Sequence, residues 1–311
     1  RRNTWDEVMG DDRSDEKFGL SMFEFVTLTA FLMAMTALSV DIMLPALPEI
    51  AGTYGLDESN HQQFMVTIYM GSFAFGQIFA GPISDRIGRK PTLLAGLVVY
   101  LLGSLLAIFA ESYTALLAAR AIQGFGASAP RVVAVAVVRD RFSGRAMSQV
   151  MSFVMTVFIM LPVVAPAIGA AIGAIGSWRL IFIFLLLFGI GTFVWVLLRL
   201  PETNPRGGPD ATPAVPIGSA VATICNSAQT IGYMLGLGCI FGCLLTYVSS
   251  TQQVFADLYG IVEWFPLVFA SVAGMMIISS VVNASLVKRY GMRRLSHSST
   301  LLLLASSVLA L

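Results

Sequence analysis

Charge is what this sequence has least of. Asp, Glu, Lys and Arg together make up 12% of its 311 residues, against roughly 25% in an ordinary soluble domain. A water-soluble globular chain of this length needs more charge than that to cover its surface, so this class is excluded. Disorder is excluded as well, because a disordered chain combines low hydrophobicity with high net charge. Neither sign is in excess: 19 basic against 18 acidic residues leave a net charge of +1, which gives no reason to expect a nucleic-acid partner. Cysteine is scarce, with only Cys225, Cys239 and Cys243. All three lie in one apolar region, which excludes the disulfide framework of a small secreted domain. Cys239 and Cys243 are four apart with no histidine or carboxylate beside them, so they read as small packing residues and not as metal ligands. The two histidines, His61 and His297, fall at the ends of apolar segments and read as solvated. No His/Cys cluster, acidic pair or Ser/His/Asp set occurs. The sequence therefore indicates no enzyme, no cofactor and no metal.

What is present is apolar. Hydrophobic residues are 56% of the chain and mean hydropathy is +0.79, as in an integral membrane protein. A helix crossing the hydrocarbon needs about 20 mostly apolar residues. Nine windows approach or meet that length: 25–40 continued past Asp41 by 42–48, then 62–84, 91–110, 112–138, 146–178, 180–198, 231–250, 264–287 and 295–311. They are too long, and too apolar on every face, for the alternating strands of about 9–11 residues in a membrane barrel. The polar N-terminal stretch lacks the form of a secretory signal peptide. The chain has no initiator methionine and ends inside the ninth window, so it is expected to be a fragment of a longer protein.

Basic residues prefer cytoplasmic loops. With a cytoplasmic N-terminus, sixteen of the nineteen fall in the tail and in the loops after segments two, four, six and eight. Only Arg179 falls outside, and Arg120 and Arg131 lie within segment four. That asymmetry sets the expected orientation. A short repeat supports two related halves: superposing Gly88 on Gly291 aligns Arg86 with Arg289 and Lys90 with Arg293. Parallel repeats of this kind build many transporters, with a site near the midplane between them.

Few polar groups lie inside the apolar windows. Asp41 is the first. An intramembrane carboxylate costs about 2.5–3.5 kcal/mol on insertion scales, and a carboxyl withdrawn from water holds its proton more readily. Such a group can load and release a proton, as a proton-driven carrier requires. The alternative is simple solvation near the outer helix end. Arg120 is the second; it keeps its charge and is followed by the small residues Gly124, Gly126, Ala127, Ser128 and Ala129, which permit close helix packing. Arg131 reads as snorkelling toward the cytoplasmic interface. In segment five, Pro162 and Pro166 interrupt the hydrogen-bond ladder, and Gly169 and Gly173 form a small-xxx-small face. A hinge or a tight helix contact is expected there. Asp85 beside Arg86, Arg89 and Lys90 suggests a salt-bridge latch in the loop after segment two. Gln77, Tyr69, Tyr247 and Asn283 are further candidates for a polar lining.

These residues carry a pattern that resembles the major facilitator superfamily, most closely its Bcr/CflA type of drug:proton antiporter, associated with bicyclomycin and chloramphenicol resistance. Gly81, Asp85, Arg86, Gly88, Arg89, Lys90 and Leu93 match the loop motif G-x-x-x-D-R-x-G-R-K-x-x-L. Leu116, Arg120, Gln123, Gly124, Gly126 and Ala127 match the motif of helix four. Pro166 and Gly169 match the antiporter motif of helix five, although Ala165 and Ala170 stand where that motif has glycines. LSVDIMLPALPEIA (residues 38–51) and LPET after segment six are also similar. The resemblance implies an all-α membrane fold of two six-helix bundles, the second truncated within helix nine. The implied division is a cytoplasmic tail over 1–22, a six-helix bundle over 23–200, a linker over 201–228 and a partial second bundle over 229–311. It further implies proton-coupled drug efflux across the bacterial inner membrane by a monomer in the lipid bilayer. Asp41 and Arg120 would couple protons and substrate. An uptake symporter for a small metabolite is the alternative, and the Pro/Gly pattern of segment five argues against it.

Overall fold

The structure is a computed structural model. It describes residues 20–56, 61–142, 144–204, 217–257 and 292–309, with isolated positions between 260 and 286. Most of the expected tail, most of segment eight with Asn283, and the repeat residues 287–291 lie outside the described residues, as do some helix side chains, that of Pro162 among them.

Every regular element among the described residues is a helix. In chain order these are α1 (Met22–Asp41), α2 (Leu47–Tyr54), α3 (Phe64–Ile87), α4 (Arg89–Ile108), α5 (Tyr113–Arg141), α6 (Gly144–Ile175), α7 (Arg179–Arg199), α8 (Ile217–Cys225), α9 (Ala228–Asp257) and α10 (Met292–Leu309). Segments one to seven and nine each coincide with a helix to within a few residues at most ends. The longest departure is α9, which runs past the expected 231–250 at both ends. The span 201–228, expected as a linker, includes the helix α8.

Local sequence sets the helix ends. Ser21 and Ser112 cap α1 and α5, their hydroxyls accepting from the amides of Glu24 and Ala115 at 3.2 Å, which satisfies amides the helix leaves without partners. α1 stops after Asp41 and passes through a 3-10 turn, Leu44–Ala46, into α2. Pro45 and Pro48 stand in the first turns of these two short helices, where a missing N–H is tolerated. The turn between α3 and α4 is a single residue, Gly88, at φ +109°. Asp85 and Arg86 therefore sit in the last turn of α3 and not in a loop, which corrects their expected place.

Small residues then bring the helices together. A Cβ on Gly103 would meet the backbone of Gln123, and one on Gly126 would meet the backbones of Tyr100 and Gly96. α4 and α5 thus touch backbone to backbone. Gly76 and Gly124 do the same for α3 against α5, through Ser128 and Tyr69. Gly169 of α6 lies directly on the carbonyl of Ile42. The outer faces carry exposed Phe75, Ile83, Leu102, Leu106, Leu187 and Leu198, an apolar surface suited to lipid. Five helical stretches, Met22–Tyr54, His61–Ile87, Arg89–Ile108, Tyr113–Arg141 and Arg179–Arg199, are long and apolar enough to cross a bilayer. Shorter apolar stretches, Val164–Ile175 and Ala228–Cys243, lie in α6 and α9. Cys225, Cys239 and Cys243 are exposed among the described residues.

Candidate functional site

Arg120 lies two turns into α5 and is fully buried. Its guanidinium donates to the Gln123 side-chain oxygen at 2.5 Å and to the Ser39 carbonyl on α1 at 3.2 Å, with a longer approach of 3.5 Å to the Met65 carbonyl on α3. It also lies over the Tyr69 ring, 4.3 Å from the centroid. The network continues through neutral groups. The Gln123 amide donates to Ser104 Oγ at 2.8 Å, and Ser104 Oγ donates to the Tyr100 carbonyl at 2.9 Å. The Tyr100 and Ser39 hydroxyls are 2.8 Å apart. A cation so far from water is costly unless its donors find oxygens, and here carbonyls and an amide oxygen supply them. The result ties α1, α3, α4 and α5 around one charge. The hydroxyls of Thr36 and Tyr69 are buried beside it without a hydrogen bond of ordinary geometry among the described residues.

Asp41, the last residue of α1, is buried. Its carboxyl makes no hydrogen bond or ion pair among the described residues. The solvated alternative is thus not what the structure shows. Asp41 and Arg120 share a region but not a contact. Arg120 holds the carbonyl of Ser39, and two further residues turn a helix by about 200° at 3.6 residues per turn.

At the opposite end of the bundle, where the basic residues gather, the expected latch has more members than the motif. Arg89 bonds Asp85 at 2.6 Å and Asp140 of α5 at 2.8 Å, and donates to Ser84 Oγ at 2.7 Å. Glu202, beyond α7, accepts from the Arg89 and Lys90 amides at 2.8 and 3.1 Å and so caps α4. Asn204 donates to the Asp85 carbonyl at 3.2 Å. Arg86 is exposed. Gly88 is required by its positive φ and by Glu202, which a Cβ there would strike; Gly81 has room for a Cβ. Asp140 lies outside the loop motif, Ser84 falls on one of its variable positions, and Glu202 belongs to LPET. Their signal is spatial: Glu202 is 113 residues from Arg89 along the chain.

Gln123, Gly124 and Gly126 each make the contacts described above. Along α6, Pro166 and Gly169 are buried, whereas Gly173 is exposed with nothing near its Cα. Only half of the small-xxx-small pair therefore packs. Between α3, α5 and α6 lies a cavity of about 800 Å³, with Gln77, Asp85, Arg131, Arg139, Asp140 and Met155 on its wall. Arg131 stands ten residues before the end of α5, about 15 Å at 1.5 Å per residue. It is also 18 residues, about 27 Å, from the Tyr113 start of that helix, so across a hydrocarbon core of about 30 Å it falls toward the side expected to be cytoplasmic.

Comparison with known proteins gives a consistent result. The sequence profile of the Major Facilitator Superfamily matches residues 29–311. An uncharacterized MFS-type transporter, YdgK of Bacillus subtilis, is 34% identical over 285 residues, covering 89% of this chain and 69% of that protein. A bicyclomycin resistance protein homolog of Haemophilus influenzae is 32% identical over 273 residues, covering 87% and 68%. Multidrug resistance protein D of Escherichia coli is 31% identical over 178 residues, covering 57% and 45%. Among solved structures, a bacterial homolog of the human lysosomal transporter Spinster, in an inward-facing and unoccupied conformation, has a TM-score of 0.67 at 14% identity, over 90% of this chain and 65% of that one. The human organic anion transporter MFSD10 has a TM-score of 0.56 at 19% identity, over 80% and 70%. At these identities the two structures speak to the fold alone.

Proposed function

The chain belongs to the major facilitator superfamily, and from that premise we propose that it exports small-molecule drugs in exchange for protons, by alternating access in the bacterial inner membrane. It is a membrane transporter and not an enzyme. Two of its relatives are named for drug resistance, which supports efflux as the direction. The proposed orientation keeps the N-terminus and the Arg89 cluster cytoplasmic, and the proposed unit is a monomer.

The observation that carries the coupling is Asp41. It is buried at the end of a membrane helix with no partner among the described residues. An ionised carboxylate there has nothing to compensate its desolvation, so proton loading lowers the cost of burial. An intramembrane carboxyl of this kind is a functional candidate by default. In this mechanism protonation from outside neutralises Asp41 and favours one orientation of the bundle. Substrate entry from the cytoplasm favours the other, as differential binding to two states requires. Arg120 contributes a fixed positive field and holds α1 against α3, α4 and α5. The Asp85–Arg89–Asp140 cluster fastens the cytoplasmic ends.

The test is Asp41→Asn in the full-length gene product, reconstituted into proteoliposomes. The expected result is loss of pH-gradient-driven drug efflux with substrate binding retained. Efflux equal to the unaltered protein would remove Asp41 from the mechanism.

A further inference from the structure

The cavity between α3, α5 and α6 holds a charge that the latch and the Asp41 step do not use. Arg131 lines it and, among the described residues, has neither a hydrogen bond nor a carboxylate partner. Its guanidinium carbon lies 5.1 Å from the centroid of the Phe158 ring. The acidic groups on the same wall are taken. Asp85 and Asp140 both bind Arg89, and Asp140 stands nine residues further along α5, about 13 Å along the axis at 1.5 Å per residue. Arg131, Val135 and Arg139 follow one another at four-residue steps, so they share a face of α5. The remaining wall is mixed: Gln77 and Ser84 are polar, and Val132, Val135, Met151 and Met155 form an apolar side. The volume, about 800 Å³, is within the range of roughly 300–1,000 Å³ seen for small-molecule sites.

We infer that this cavity is the cytoplasmic substrate vestibule and that Arg131 selects its ligands by charge, admitting organic anions with an apolar body and disfavouring cations of the same shape. This rests on the transport reading proposed above and names the substrate class of that pathway. An anionic head on Arg131 supplies the partner its guanidinium lacks, and a charge-assisted hydrogen bond is among the strong ones. The apolar body lies along Val135, Met151 and Met155, where methionine adapts to ligands of differing outline. A cation in the same place meets a guanidinium of like charge, and discrimination arises from that repulsion as much as from the attraction.

Two dyes with the same xanthene body and opposite charge make the comparison: fluorescein, an anion, and rhodamine 123, a cation. Binding to the full chain in phosphatidylcholine nanodiscs is followed by fluorescence anisotropy, so the outcome does not depend on transport. A failed efflux assay with the charge preference intact would count against the transport reading alone. The expected result is tighter binding of fluorescein, by about tenfold, the scale of one charge-assisted hydrogen bond. Arg131→Gln is expected to abolish the preference and Arg131→Lys to retain most of it. Val135→Glu sets a carboxylate one turn from Arg131 without removing it, and is expected to abolish the preference as well. Equal binding of the two dyes, or fluorescein binding untouched by Arg131→Gln, overturns the inference. Phosphatidylglycerol in the nanodisc supplies the same anionic chemistry from a lipid. If it displaces fluorescein at Arg131, the site holds a headgroup and the substrate assignment is overturned.

Discussion

A single guanidinium fixes much of the polar interior. Among the described residues Arg120 has no acidic partner, and its charge is met by the Gln123 side chain and the Ser39 carbonyl. Those contacts need the planar fork of arginine, which a lysine ammonium does not reproduce. Arg120→Lys is therefore expected to abolish proton-coupled efflux in proteoliposomes while the protein still elutes as a single monodisperse species in detergent. Gly88 is the second position where one residue decides. Its φ of +109° and the adjacent Glu202 carboxylate leave no space for a side chain. Backbone in such a region costs about 1–3 kcal/mol for a residue with a Cβ, so Gly88→Ala is expected to lower the detergent-solubilised unfolding temperature. An unchanged temperature would show that the turn relaxes freely.

Between elements, the closest approaches run through α5. Gly103 and Gly126 set α4 against it, and Gly76 and Gly124 set α3 against it. Without a hydrophobic drive inside lipid, such close packing is what holds membrane helices together. Gly126→Leu should force the Tyr100 backbone away and cost about 1–3 kcal/mol, the usual range for overpacking. Gly191→Leu on α7, where nothing lies within 4 Å, should change stability by about 0.5 kcal/mol or less. Thermal unfolding of the two variants side by side checks the contrast, and equal effects would show that the glycine contacts carry no packing energy. The sequence singled out Gly124 and Gly126 as small residues permitting close contact. It did not give their partners, because Tyr69, against Gly124, and Tyr100, against Gly126, belong to other segments whose rotations about their axes are set only by packing.

Across the whole molecule, the end of α7 and the first residues after it reach back to the start of the bundle. Arg199 bonds Glu24 of α1 at 2.7 Å, Glu202 caps α4, and Asn204 bonds the Asp85 carbonyl. The exit from the six-helix unit is thereby fastened to three other helices at the Arg89 end. Glu202→Ala is expected to loosen that exit, read as faster tryptic cleavage between residues 199 and 206, with the unfolding temperature lowered by the loss of the α4 cap, worth about 1 kcal/mol. A cleavage rate equal to that of the unaltered chain would mean that the other contacts suffice.

The sequence by itself determined the membrane class, the helical segments, the family and the residues out of place in lipid. Hydrocarbon enforces each of these locally: a backbone there must satisfy its own hydrogen bonds within one segment, and a charge there is conspicuous wherever it falls. It also led to Asp41, Arg120 and the Asp85–Arg89 pair. Only the tertiary structure decided that Asp41 is unpartnered, that Arg120 is held by Ser39 and Gln123, that Asp140 and Glu202 complete the Arg89 cluster, and that Arg131 lines a cavity. These contacts depend on the facing of helices separated by tens of residues. Apolar helices of nearly uniform hydropathy give little sign of which side they turn inward; close packing between backbones supplies it.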